Sequence, residues 1–117
     1  MSKGSDVGNT LCEDEGSRVI YEIAEIDVKT GDEAAFEAGV AQAMPLFRAA
    51  KGCHSVQLHR SKESPSRYKL IAQWETVENH TVDFRQSEDF QKWRALVGAY
   101  FESTPRVEHT SIVLAGF

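Results

Sequence analysis

The chain has 117 residues, 41% of them hydrophobic, and a formal net charge of −5. That length suits one small domain rather than two. No apolar run approaches the roughly 20 residues needed to cross a bilayer, so no membrane partner is expected.

The N-terminus lacks the basic-then-apolar order of a secretion signal, and a cytoplasmic location is the expectation. The first 17 residues set Lys3 against Asp6, Glu13, Asp14 and Glu15, which is −3 of the total charge. The remainder is nearly balanced and offers no basic face for nucleic acid. Cys12 sits in the polar leader and Cys53 beside a glycine. Both read as free thiols in a reducing compartment.

Residues 1–17 show no periodicity and are rich in glycine, serine and acids, so they read as a flexible leader. The domain proper spans 18–117. Residues 18–28 are β-branched and apolar on both faces. Ile20, Ala24, Ile26 and Val28 lie on one, and Val19, Tyr21 and Ile23 on the other. Such a strand is expected to be buried on both sides. Gly31 precedes a helix over 31–50, in which Phe36, Val40, Met44 and Phe47 form an apolar stripe. Pro45 lies inside it and predicts a kink. Lys51-Gly52 is a helix stop.

Strands follow over 53–61 and 67–75, joined by a turn containing Pro65. In the second of these, Tyr68, Leu70, Ala72 and Trp74 alternate with Lys69, Ile71, Gln73 and Glu75. Thr76 caps a short helix over 77–85, with His80 and Phe84 on one face. Ser87 opens another over 87–101, with Phe90, Trp93, Val97 and Tyr100 on one stripe. Thr104-Pro105 ends it, and a last strand spans 106–115. The order strand, helix, strand, strand, helices, strand predicts an α+β, ferredoxin-like fold: a four-stranded antiparallel sheet with helices on one face. Helices cover only one face, so a second copy is expected on the other, as an isologous homodimer.

His80 is the leading candidate for chemistry, because an imidazole can take a proton from an acidic phenol or activated methylene near neutrality. Trp74 and Asn79 could steady a developing oxyanion, and Arg85 could donate to the same oxygen. Tyr68, Phe84, Trp93 and Tyr100 could hold an aromatic ring. At these spacings the aromatic residues also read as ordinary core. His54 and His59 lie five apart on a strand and so face opposite ways. No zinc spacing is present, and no glycine-rich nucleotide or flavin fingerprint. No metal or cofactor is expected.

Residues 18–117 resemble the antibiotic biosynthesis monooxygenase (ABM) family of dimeric α/β barrels. The likeness rests on Gly31 before the first helix, Gly52 leading into the second strand, and a strand ending in Trp74-Glu75. It continues with His80 followed by Ser87-Glu88-Asp89-Phe90, and closes with Pro105-Arg106-Val107-Glu108-His109. The resemblance implies a homodimer with a pocket between sheet and helices. It also implies oxygenation of a small polyketide- or quinol-like aromatic by O2, which some members perform without metal or flavin. Haem-degrading relatives use an asparagine on the first strand and a histidine on the last helix. Here those places offer Ala24, and Trp93 with Arg94, so haem is the weaker expectation. A non-catalytic dimeric module that binds a small hydrophobic molecule, or an isomerase-like enzyme, would fit the same residues.

Overall fold

Side-chain alternation in the strands and two short capping motifs account for most of the architecture. The computed structural model describes residues 19–117. The expected leader, residues 1–17 with Cys12, lies outside the described residues. The elements are β1 (Ile20–Asp27), α1 (Glu33–Arg48), β2 (Cys53–Arg60), β3 (Arg67–Trp74), a π-helical turn (Asn79–Phe84), α2 (Glu88–Val97), a 3₁₀ turn (Gly98–Tyr100) and β4 (Arg106–Thr110). The four strands form one antiparallel sheet in the order β2-β3-β1-β4. Helices lie on one face, which is the ferredoxin-like α+β fold.

Period two decides which side chains enter the core. From β1, Ala24 and Ile26 point inward; from β3, Tyr68, Leu70, Ala72 and Trp74 do. Phe36, Val40, Ala43 and Phe47 of α1 pack on them, and Trp93 and Val97 of α2 complete the layer. α1 runs unbroken through Pro45 to Arg48, and its cap residue Ala49 bonds back to the Pro45 carbonyl. Gly39 permits the close approach of α2, because a Cβ there would press on the Leu96 carbonyl. Gly52 ends the turn after α1 in the left-handed region, at φ +78°, where glycine carries no Cβ penalty.

Two elements end earlier than periodicity suggests. The last strand stops at Thr110 rather than 115. Among the described strands it neighbours β1 alone, whose pairing ends at Tyr21 opposite Thr110, one residue from the start of β1 at Ile20. Past that point the chain has no described ladder to join, and Ile112, Val113, Leu114 and Phe117 are exposed. The helix expected over 87–101 is α-helical only to Val97. Beyond it the strand end claims the backbone. Lys29 N–H donates to the Tyr100 carbonyl at 2.9 Å, and Glu102 N–H to that of Asp27 at 2.7 Å.

The face of the sheet that no described helix covers is mixed. Tyr21, Ile23 and Ile71 lie at its centre, half-buried. Beside them Arg67 pairs with Asp27 at 2.8 Å and with Glu25 at 3.4 Å, and Arg106 pairs with both acids.

Candidate active site

The site is built where β1, β4 and the π-helical turn meet. Glu22 occupies the inward phase of β1, in step with Ala24 and Ile26, so the strand carries its carboxylate to the helix side. The β1–β4 register places Glu22 directly opposite His109. The turn that follows β3 lays His80 over this pair.

That turn is locally specified. Thr76 and Asn79 cap each other. Thr76 N–H donates to Asn79 Oδ1 and Asn79 N–H to Thr76 Oγ1, both at 3.1 Å. This is a capping box with asparagine in the usual Glu/Gln place. The chain then widens to an i→i+5 bond, Arg85 N–H to the His80 carbonyl at 3.0 Å. Such widened turns recur at functional sites. Ser87 caps α2 by accepting from Phe90 N–H at 3.2 Å.

His80 is 3% exposed and Glu22 5%. His80 Nε2 lies 3.4 Å from Glu22 Oε1, and His80 Nδ1 lies 2.9 Å from His109 Nε2. Trp74 stacks on the His80 ring at 5.4 Å between centroids and donates its indole N–H to Glu22 Oε1 at 3.0 Å. Burial pushes the Glu22 carboxyl up to about 7, against the pull of the Trp74 bond and of nearby Arg85. Burial also lowers the His80 imidazole to about 4, helped by Arg85 and His109. His109 is shifted down as well, by burial and then by Arg85. The Cys53 thiol is pushed up to about 11 by burial and by Glu22, and stays protonated.

A cavity of about 620 Å³ opens beside this cluster, within the range of small-molecule sites. Glu22 and His80 form one wall, and Phe47, Phe84, Phe90 and Trp93 others. Arg85 and Arg94 also line it, and both are exposed. Aromatic walls with a proton-exchanging group on one side and guanidinium groups near solvent suit a flat molecule bearing an acidic hydroxyl or carbonyl.

Of the residues singled out from sequence, His80, Phe84, Arg85 and Trp93 come together at this cavity. The other four lie elsewhere. Trp74 is fully buried behind His80, its N–H committed to Glu22. Asn79 is held in its cap and in a bond from Nδ2 to Asp83 at 3.0 Å. Tyr68 is buried near the other end of β3. It donates to Glu37 at 2.6 Å and packs on Phe36. Tyr100 packs on the core from the 3₁₀ turn. Glu22 and His109 were not identified as site residues from the sequence. For Glu22 the signal was present, since it is a titratable residue in the inward phase of a strand; His109 joins it only through the β1–β4 register.

His54 and His59 take no part. His54 bonds Glu75 at 2.7 Å and His59 bonds Gln57 at 3.1 Å. Among the described residues no group of three or more His, Cys, Asp or Glu is arranged to hold a metal ion. Glu22, His80 and His109 form a chain rather than a chelate, because His80 turns a different nitrogen to each. No helix of the described residues is long and apolar enough to cross a membrane.

A four-stranded ferredoxin-like sheet with a helix-side cavity and a buried acid–histidine wall defines an α+β domain with a pocket of small-molecule size. Residues 19–96 match the family described as antibiotic biosynthesis monooxygenase, and the chain belongs to that family. A crystal structure named for that family from Bordetella bronchiseptica is 62% identical. It superimposes with a TM-score of 0.81, covering 82% of this chain and 98% of that one. The uncharacterised protein YczJ of Bacillus subtilis (strain 168) is 36% identical over 91 residues, which is 78% of this chain and 96% of that protein. SnoaB of Streptomyces nogalater, named as a cofactor-independent oxygenase, shares the fold. Its TM-score is 0.73 at 17% identity, over 85% of this chain and 97% of that one.

Proposed function

We propose that the protein is a cofactor-independent monooxygenase that oxidises a small polyketide- or quinol-like aromatic with O2 in the cavity beside His80. The observation that carries this reading is the acid–histidine pair on the wall of an aromatic cavity. Family membership and the name given to SnoaB support it. The pair removes a proton from an activated phenol or methylene. The resulting electron-rich anion passes an electron to O2, and recombination forms a C–O bond as a peroxide. Loss of the second C–H proton and cleavage of the O–O bond leave a carbonyl and release water. One oxygen atom is thereby incorporated and the other is reduced.

In this reading Phe84 and Trp93 hold the ring. Arg85 steadies the anion, and Trp74 and Asn79 support the wall from behind. The working form is a homodimer joined through the sheet face that bears Tyr21, Ile23 and Ile71. Oxygen uptake with a panel of anthrones and hydroxyquinones tests the chemistry. Turnover of at least one, with one O2 consumed per carbonyl formed, is expected. Melting shifts without uptake across the panel would instead indicate a binding module. Sedimentation at micromolar concentration tests the dimer, and an exclusive monomer would reject it.

A further inference from the structure

We infer that the atom exchanging the proton with the substrate is Glu22 Oε2, and that His80 and His109 position this carboxylate rather than act as the base. This rests on the monooxygenase reading for its reaction, and on geometry alone for its assignment. His80 Nδ1 is hydrogen-bonded to His109 Nε2 at 2.9 Å, and Nε2 stands 3.4 Å from Glu22 Oε1, farther than a hydrogen bond. When Nδ1 accepts from His109, the proton of the neutral imidazole sits on Nε2 and the ring has no spare lone pair to turn to a ligand. Glu22 is different. Trp74 and His80 both approach Oε1, while Oε2 makes no hydrogen bond to any described residue. Glu22 is nine-tenths buried and lines the cavity. A buried carboxyl on a cavity wall, with one oxygen lacking any described donor, is a group suited to a ligand proton.

The histidines form a directed chain. When His109 donates from Nε2, His80 must accept at Nδ1 and so carries its own proton on Nε2, aimed at Glu22. That N–H faces the same oxygen as the Trp74 N–H, so it favours the ionised carboxylate and orients it. Substrate C–H or O–H then yields its proton to Oε2 as the anion forms. The same proton returns from Oε2 to the peroxide oxygen when the O–O bond breaks, so the carboxylate is restored. Other titratable or charged groups around Glu22 are Arg85 on the π-helical turn, Arg94 on α2 and Cys53 on β2. Arg85 favours the ionised form, and the protonated thiol does not titrate in the relevant range.

The experiment has a kinetic and a spectroscopic arm. With anthrone as probe, kcat/KM of the wild type should rise with pH through one midpoint near neutrality. Glu22→Gln should lose about 10²–10⁴-fold, the usual yield of a general base. His80→Gln, which keeps an N–H donor, should stay within about tenfold of wild type. His80→Phe, which lacks a donor, should move the midpoint to higher pH. A fully active Glu22→Gln, or a His80→Gln as inactive as Glu22→Gln, overturns the assignment.

The spectroscopic arm needs no substrate. Carbon NMR of the Glu22 carboxyl should show a midpoint near pH 7 that climbs in His80→Phe. Nitrogen NMR should find His80 neutral with its proton on Nε2. A Glu22 midpoint in the ordinary carboxylate range, or one unmoved in His80→Phe, overturns the proposal even in an active enzyme. If no panel compound is turned over while the NMR pattern holds, the oxygenase reading fails and the positioning of Glu22 stands.

Discussion

Gly52→Ala should disturb the turn that carries His80, although Gly52 touches neither the cavity nor the acid–histidine cluster. Gly52 has φ +78°, and a Cβ built there collides with the side-chain oxygen of Asn79. Two costs follow. Left-handed backbone at a residue with a Cβ costs about 1–2 kcal/mol. Relieving the collision displaces Asn79 Oδ1 from the Thr76 N–H, and losing a cap of this kind costs about 1–2 kcal/mol. The sum is roughly 2–4 kcal/mol. At about 4–8 °C per kcal/mol for a domain near 100 residues, the melting temperature should fall by about 8 °C or more.

The steric share can be isolated in a double-mutant cycle. Asn79→Ala alone should cost about 1–2 kcal/mol through the lost cap. In the Gly52→Ala background it should cost almost nothing, because the cap is already displaced and the collision is gone. Urea denaturation of the four proteins gives the coupling, expected at about 1–2 kcal/mol. Additivity within about 0.5 kcal/mol would refute the reasoning, since Gly52 and Asn79 would then be energetically independent.

Trp74→Phe removes the indole N–H from Glu22, a bond that holds the carboxyl down, so the Glu22 midpoint should rise above its wild-type value in carboxyl NMR. Tyr68→Phe should cost about 1 kcal/mol by breaking the bond to Glu37, measured by urea unfolding, with ligand affinity at the cavity unchanged. Ile23→Lys places a charge at the centre of the helix-free sheet face and should shift sedimentation toward monomer while leaving the circular dichroism of the fold intact.

The fold was legible because periodicity and capping agree in this chain. Inward phases in β1 and β3 are apolar with few interruptions, and Thr76, Ser87 and Gly52 mark element ends with residues that have one plain physical use. The site was legible only in part. His80, Phe84 and Trp93 share a neighbourhood that helical spacing reveals. Tyr68 does not belong to it, for a reason of length: it stands six residues from Trp74 on an extended strand, about 20 Å away at ~3.3 Å per residue. Asn79 offered an amide that could serve a ligand or a cap, and the Thr76 spacing decides for the cap. Glu22 was masked by company. The run Ile20–Asp27 carries three acids, and only the phase separates Glu22, facing inward, from Glu25 and Asp27, which face the arginines outside. His109 needed the β1–β4 register, which composition alone does not supply.

The buried carboxylate also makes a claim about stability that a purely structural residue would not. Glu22 is raised from 4.5 to about 7 in the fold. Between those values the native state keeps a proton that the unfolded chain has released, so stability falls as pH rises, by roughly 3 kcal/mol in all. His80 runs the other way. Its lowering from 6.5 to about 4 means that the unfolded chain holds a proton the native state lacks. Stability then rises with pH across that window, again by roughly 3 kcal/mol. The windows overlap from about 4.5 to 6.5, and there the two slopes oppose. Wild-type stability should be nearly flat in that range. Glu22→Gln should unmask the rise, and His80→Asn the fall. Above pH 7 the wild type bears the full cost of an ionised buried carboxylate, which glutamine avoids while still accepting the Trp74 N–H at its amide oxygen. Glu22→Gln should therefore be the more stable protein at pH 8 and the less active one. Urea unfolding at pH 4.5, 6.5 and 8 measures this directly. A Glu22→Gln protein less stable than wild type at pH 8 would mean that the carboxylate charge holds the fold together, and that its place on the cavity wall needs no functional explanation.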